Sequence, residues 1–182
     1  MDRLQLTHPL EDTAPRVLPD LLMRVIQHQI LFELRGNPSA MAERCPGVLP
    51  IEPNRAIAHD TWRATWLRPD GWLLSGLEPM SGRAWSGLLS AAEYRVCRLT
   101  EITHSRVCFA LEGDRAPLLL AKGTPLDLRR HRLGPGQCAR TWCAGFTVLL
   151  DHVGDAIHVY VDAPLAVAFW DWLCDAALEW QV

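Results

Sequence analysis

The chain has 182 residues, a length that fits one domain with a substantial core. Apolar residues make up 49% and charged residues 21% of it, so the composition is that of a globular protein and not of a disordered one. The net charge of −3 does not favour nucleic acid as a partner, and there is no run of 18 apolar residues of the kind that predicts a transmembrane helix.

The N-terminal segment carries acidic residues and lacks the apolar core of a secretory signal, so a cytoplasmic location is expected. In that compartment the six cysteines are expected to be reduced and to act as small core residues. Residues 1–28 contain several prolines and one short apolar stretch, Leu21 to Ile26, which predict an arm with one or two helical turns. Residues 29–182 are predicted to form the domain.

Short elements separated by turn signals follow in the first part of the domain. A helix after residue 38 is indicated by Asn37 as a possible cap and by Pro38 at the first helical position. The predicted elements are a strand over 29–34, a helix over 39–44, a loop over 45–60, strands over 61–67 and 71–74, a helix over 82–91, and strands over 94–101 and 105–111.

A further helix is predicted to begin at Asp114 as its cap, with Pro117 in the first turn and Gly123 as a left-handed C-terminal cap. After a glycine- and proline-rich turn, the alternation of apolar residues predicts further strands. These predicted strands span 139–144, 147–151 and 157–162. Interleaved helices and antiparallel turns predict an α+β fold.

The last predicted helix has Asp162 as its cap and an apolar stripe at helical spacing. The stripe consists of Leu165, Phe169, Trp172, Leu173, Ala176 and Trp180. Trp170 lies off this stripe, so it is the tryptophan expected to be exposed or to contact a partner.

Four segments of the chain carry a family resemblance. They are WLRPDGWLL at 66–74, LLAKGTPLDL at 119–128, PGQCART at 135–141 and WDWL at 170–173. In this order they resemble the gamma subunit of heterotetrameric sarcosine oxidase, over about residues 29 to 180. The resemblance implies a fold of mostly antiparallel sheets with a few helices, similar to the folate-binding domain of glycine-cleavage aminomethyltransferase.

The resemblance also implies a role within a complex. The gamma chain of that family is regarded as a structural subunit without a cofactor, in an enzyme that oxidatively demethylates an N-methyl amino acid such as sarcosine. FAD, covalently attached FMN, NAD, tetrahydrofolate and zinc are then expected in the partner alpha, beta and delta subunits. Two alternatives stay open: a free-standing, folate-binding protein of the aminomethyltransferase type, and a scaffold in a related complex that oxidises another secondary or tertiary amine.

Sequence patterns indicate no catalytic, cofactor-binding or metal-binding residues in the chain itself. Cys138 and Cys143 have no second pair of metal ligands at a suitable spacing and would point to opposite faces of a strand. The histidines lie in no nucleophile–base signature, and His158 alternates with apolar neighbours as a solvent-facing strand residue would. If folate binds, Asp127 and Glu101 are the candidate acidic residues.

The partner-interface candidates are Trp170 and the basic cluster of Arg129, Arg130 and Arg132. The cluster is expected to be either a solvated turn or a docking patch for an acidic surface of a partner chain.

Overall fold

The computed structural model describes residues 10, 12–77 and 79–181. Its strands are β1 (Arg16–Leu18), β2 (Leu21–Val25), β3 (Ile30–Gly36), β4 (Ala56–Ala58), β5 (Trp62–Arg68), β6 (Gly71–Gly76), β7 (Cys97–Glu101), β8 (Arg106–Glu112), β9 (Cys138–Cys143), β10 (Phe146–Val153) and β11 (Ala156–Asp162). Its helices are α1 (Pro38–Arg44), α2 (Gly82–Glu93), α3 (Ala116–Ala121) and α4 (Ala166–Ala176), and short 3₁₀ turns lie at Thr103–Ser105, Ala163–Leu165 and Leu178–Trp180.

These strands form two antiparallel sheets within the described part of the chain. The six-stranded sheet has the order β1-β2-β8-β11-β10-β9, and the five-stranded sheet has the order β4-β5-β6-β3-β7. Helices α3 and α4 pack on one face of the six-stranded sheet, while α1 and α2 pack on the five-stranded sheet. A third, smaller core lies between the two sheets. The α+β fold expected from the sequence is confirmed.

Strand β8 shows why this arrangement needs strands that are apolar on both sides. Val107, Phe109 and Leu111 belong to the core beneath the helices, whereas Cys108 belongs to the core between the sheets. Successive side chains of a strand point to opposite faces, so a strand covered on both faces loses the alternation of apolar and polar residues. The core between the sheets therefore receives the side chains of β8 that alternate with those beneath the helices, such as Cys108.

Helix α1 begins as the sequence predicts. Its cap is Asn37, whose side-chain oxygen accepts from the backbone N–H of Ser39 at 3.0 Å and of Ala40 at 3.2 Å. Pro38 occupies the first turn, where a missing N–H costs no hydrogen bond. Local side-chain chemistry was sufficient for this prediction.

The helical turns predicted for residues 21–26 are wrong, since this stretch forms strand β2. Its side chains alternate between buried and partly exposed, with Leu21, Met23 and Val25 in the core of the six-stranded sheet. Pairing with β8 holds the strand in place and overrides its short-range pattern. The predicted arm over 1–28 thus includes two strands of the sheet, and its residues 1–9 and 11 lie outside the described residues.

The predicted ends of helix α3 also need correction. The helix begins at Ala116 instead of after a cap at Asp114, and no side chain caps it. The backbone of Gly123 is not left-handed. A Cβ atom at Gly123 would lie 2.7 Å from the Trp172 ring and 2.8 Å from the Cys143 Sγ, so this glycine serves close packing between α3, α4 and β9.

Helix α4 begins later than predicted, and its buried face overlaps the predicted stripe only in part. Asp162 makes no side-chain cap, and a 3₁₀ turn precedes the α-helix. The buried residues of the helix are Ala166, Phe169, Trp170 and Leu173. Trp170 is 7% exposed and stacks on Phe109 at a centroid distance of 5.8 Å, so its predicted exposure is wrong.

Within the described residues, no helix is long and apolar enough to cross a membrane.

Candidate functional site

A group of buried polar side chains lies between the two sheets. Asp151 of β10 is fully buried and meets Arg63 of β5, which belongs to the opposite sheet. The guanidinium donates to the carboxylate from Nε at 2.7 Å and from Nη2 at 2.8 Å, and the hydroxyl of Thr65 donates to the same carboxylate at 2.9 Å. This bidentate pair links the sheets by charge as well as by packing.

The environment of the pair holds Arg63 in its charged form. Burial disfavours the guanidinium charge, but the hydrogen bonds and the charge of Asp151 outweigh it, and the pKa of Arg63 is raised above its ordinary value. Both oxygens of Asp151 are engaged. A carboxylate committed in this way acts as a structural clamp and is poorly placed to take a proton from a substrate.

A second polar group lies beside the clamp, around the buried hydroxyl of Tyr160. This hydroxyl donates to Ser75 Oγ at 3.3 Å and accepts from the side-chain amide of Gln29 at 3.2 Å. Burial, followed by the neighbouring Cys108 and Asp151, raises the pKa of Tyr160 well above its usual range. The tyrosine therefore stays protonated and joins the sheets as a neutral hydrogen-bonding group.

An open cavity of about 430 Å³ leads from the surface to these residues. Arg63, Ser75, Gln29 and His158 line it on the polar side, and Trp62 lines it on the apolar side. Within the described residues, Gln29 Oε1 and Trp62 Nε1 are buried without a hydrogen-bond partner.

His158 faces this cavity and is half-buried, which corrects the solvent-facing position predicted for it. Its strand neighbours are Asp151 on β10 and Ala110 on β8. Burial is the main cause that lowers the pKa of His158, with Arg24 and Arg63 acting in the same direction against Asp151 and Glu112. The pKa of His152 is lowered as well, first by burial and then by Arg130.

These two histidines predict a loss of stability in mild acid. Their folded-state pKa values lie below the unfolded value of 6.5, so the unfolded chain binds more protons as the pH falls through that value. The free energy of unfolding should therefore be nearly constant between about pH 7 and pH 8 and decline below pH 6.5. Urea titrations across this range should show a smaller decline for His158→Gln than for the parent chain, and an equal decline would contradict the assignment.

The cysteines are poor nucleophiles in this structure. Cys45, Cys97, Cys108, Cys138 and Cys143 are buried, and Cys174 is partly so; none forms a disulfide. Burial raises the pKa of Cys138 to about 12 and that of Cys143 to about 11. Thiols with such pKa values are protonated at neutral pH, and the thiolate is the reactive form. Cys138 and Cys143 also point to opposite faces of β9, as predicted, toward separate cores.

The basic cluster lies on the surface, between α3 and β9. Arg129 donates to both oxygens of Asp127, and Arg130 approaches Asp155 at 3.9 Å. Arg132 lines a second open cavity of about 500 Å³ and forms no ion pair with the described residues. The cluster is exposed, and its role as a partner contact stays a prediction.

The two acidic residues considered for folate do not meet in a site. Asp127 is held by Arg129, whose hydrogen bonds and charge keep the pKa of that carboxyl far below its usual range. Glu101 is exposed on β7 and accepts from the Thr103 hydroxyl at 3.0 Å. Neither lines either of the two cavities.

Sequence reasoning missed two features. One is the clamp, whose signal was a lone charged residue, Asp151, inside the apolar run of β10. The other is Trp142 on β9, which is 63% exposed. Among the described residues, no cluster of three or more His, Cys, Asp or Glu side chains could hold a metal ion.

Comparisons with known proteins give a fold likeness. No protein-family model and no curated protein matches the chain. A chain of heterotetrameric sarcosine oxidase from Corynebacterium sp. U-96, solved in complex with pyrrole 2-carboxylate, is similar with a TM-score of 0.79 and 23% identity, over 95% of this chain and 91% of that chain. Glycine cleavage system aminomethyltransferase T from Bartonella henselae is similar with a TM-score of 0.56 and 18% identity, over 83% of this chain and 44% of that chain. The expected similarity in fold is confirmed.

Proposed function

We propose that this chain is a non-catalytic, gamma-type subunit of a sarcosine-oxidase-like flavoenzyme complex that oxidatively demethylates an N-methyl amino acid. The observation that carries the proposal is the extent of the fold match. It covers 91% of a chain of heterotetrameric sarcosine oxidase but only 44% of the aminomethyltransferase. The likeness is thus to a nearly whole chain of the complex and to less than half of the folate-related enzyme.

The geometry between the sheets is consistent with a structural role. Both oxygens of Asp151 are taken by Arg63 and Thr65, and the Tyr160 hydroxyl is taken by Ser75 and Gln29. These groups are committed to hydrogen bonds that hold the two sheets together, so they are not free to act as acids or bases.

In this proposal the chemistry belongs to the partner chains. FAD, covalently attached FMN, NAD, tetrahydrofolate and zinc are assigned to alpha, beta and delta subunits, and the complex is placed in the cytoplasm. A permanent contact of this kind should bury about 2,000 Å² or more of surface. Under the same proposal, a related complex would differ only in which secondary or tertiary amine it oxidises.

Co-purification tests the proposal directly. An affinity-tagged chain expressed in its native host should bring down larger chains that carry a flavin absorption spectrum and oxidise sarcosine or another N-methylated amine in a substrate screen. An untagged strain provides the control for adventitious capture. A colourless preparation without flavin-containing partners would contradict the proposal.

The aminomethyltransferase likeness supplies one alternative with its own test. A free-standing folate-binding protein would have to bind folate as the isolated chain. If the chain is a non-catalytic subunit as proposed, calorimetric titration of the isolated chain with tetrahydrofolate should show no heat of specific binding. A saturable signal that is lost when the 430 Å³ cavity is altered by His158→Gln would favour the folate-binding alternative instead.

A further inference from the structure

The outer edge of strand β9 is open in this fold. β9 is the last strand of the six-stranded sheet and pairs with β10 on one side. On its other side the N–H of Cys138 donates to the Asn54 carbonyl at 3.0 Å, and the N–H of Ala144 donates to the Gly123 carbonyl at 2.8 Å. Loops thus close the edge at both ends of the strand.

Between those two ends the edge is unpaired. The odd-numbered residues of β9 direct their backbone groups toward β10. The carbonyl of Gln137, just before the strand, shows this direction, because it accepts from the N–H of His152. Backbone directions alternate along a strand, so the N–H and C=O groups of Arg140 and Trp142 point outward with those of Cys138 and Ala144. No backbone group of the described residues pairs with them. Among the described residues, the hydrogen bond that reaches one of these outward groups runs from the Thr141 hydroxyl to the Trp142 carbonyl, at 3.5 Å.

The side chains at this edge are an aromatic ring and unpaired positive charges. Trp142 is 63% exposed, and Arg140, two residues earlier on the same face, is exposed as well. Neither Arg140 nor Arg132 forms an ion pair with a described carboxylate. Arg132 and Arg55 line the 500 Å³ cavity, which Cys138 and Ala139 of β9 also line. Among the described residues of its lining the one acidic side chain is Glu52, which pairs with Arg55 at 3.4 Å.

This combination determines what can occupy the edge. Donors and acceptors at strand spacing are satisfied by an extended backbone, which adds a strand to the sheet. Unpaired guanidinium groups favour carboxylate side chains, and the indole of Trp142 offers a flat surface for an apolar one. A second copy of the same edge would bring like charges together, which disfavours self-pairing.

We infer that the edge of β9 from Arg140 to Trp142 binds an extended, acidic segment of a partner chain by adding a strand to the six-stranded sheet. The segment places a carboxylate against Arg140 and a second one toward the cavity of Arg55 and Arg132. This inference does not depend on whether the partner carries a flavin.

Paired substitutions at Trp142 test the backbone contact. Trp142→Ala removes the indole but keeps the N–H, whereas Trp142→Pro also removes the N–H that points away from β10. Proline is tolerated at such an edge position because no hydrogen bond of the fold is lost. With the full-length tagged chain from its native host, capture of the partner should fall about tenfold further for the proline variant than for the alanine variant, as expected for one lost backbone hydrogen bond.

Two further measurements keep the outcome decisive. The control variant is Arg98→Ala, which changes an exposed arginine on β7, the edge strand of the five-stranded sheet, and it should leave capture of the partner unchanged. The urea midpoints of all variants should show that each one folds. Hydrogen exchange of the Arg140 and Trp142 amides should be fast in the isolated chain and slowed at least tenfold in the captured assembly.

Several results would overturn the inference. Equal capture by both Trp142 variants, or fast exchange of the two amides in the assembly, would place the partner elsewhere. If light scattering showed a homodimer that dissociates on Trp142→Pro, the occupant of the edge would be a second copy of this chain. If no chain were captured at all, the inferred partner would be contradicted. A colourless partner lost on Trp142→Pro would support this inference while contradicting the proposed function.

Discussion

Replacing Asp151 with alanine should lower the free energy of unfolding by about 3–5 kcal/mol, because it leaves the charge of Arg63 between the sheets without a partner. The carboxylate is fully buried and accepts three hydrogen bonds, two from Arg63 and one from Thr65. Only 13% of the arginine side chain is exposed, so water can compensate little of the loss. Equilibrium unfolding in urea, followed by tryptophan fluorescence, gives the measurement.

Asp155→Ala is the matched control for this prediction. Its side chain is 95% exposed and its contact with Arg130 is 3.9 Å long, so the change should cost less than about 0.5 kcal/mol. A double replacement, Arg63→Leu with Asp151→Leu, should cost less than Asp151→Ala, since removing both charges leaves neither unpaired. If Asp151→Ala unfolded at the same urea concentration as the parent, the pair would not be the clamp between the sheets.

Replacing Trp170 with alanine should also cost about 3–5 kcal/mol, because the change opens a cavity between α4 and the six-stranded sheet. The ring is 7% exposed and lies nearly parallel to Phe109, at an interplanar angle of 15°. The isolated chain should therefore show a lower thermal midpoint and a lower urea midpoint, in contrast to what a residue on a partner interface would show.

Trp142→Ala provides the comparison for Trp170→Ala. The Trp142 side chain packs little within the chain, so its loss should change the stability of the isolated chain by less than about 0.5 kcal/mol. The difference in stability between the two variants thus distinguishes a tryptophan in the core from a tryptophan on the surface. Equal losses of stability in both variants would contradict the assignment of Trp170 to the core.

Trp170 is buried and Trp142 is exposed, and the periodicity of the sequence did not predict either result. The predicted stripe shares Phe169 and Leu173 with the observed core face, but the centre of that face lies further toward Ala166 and Trp170. The core face then includes Phe169 and Trp170 together. For Trp142, exposure depends on how far the opposite sheet extends, which no local pattern encodes.

Much of the fold could be predicted because its signals are local. Asn37 and Pro38 define the start of α1, and the glycine at position 154, with a φ of 62°, makes the turn between β10 and β11. Such signals act within a few residues, so they can be recognised from the sequence alone. Strand β2 was missed because its pairing partner β8 lies far along the chain.

The sequence by itself determined the α+β class, most element positions and the expectation of a shared fold with sarcosine oxidase and aminomethyltransferase chains, which the comparison of structures confirms. Only the tertiary structure decided which polar groups meet. Arg63 and Asp151 are 88 residues apart and pair because two sheets pack face to face. The tertiary structure also decides which strands lie at the edge of a sheet, because the outer side of a strand such as β9 is open or covered according to its neighbours in space. Burial and pairing are properties of the assembled layers, and they determine which residues are clamp, core or contact surface.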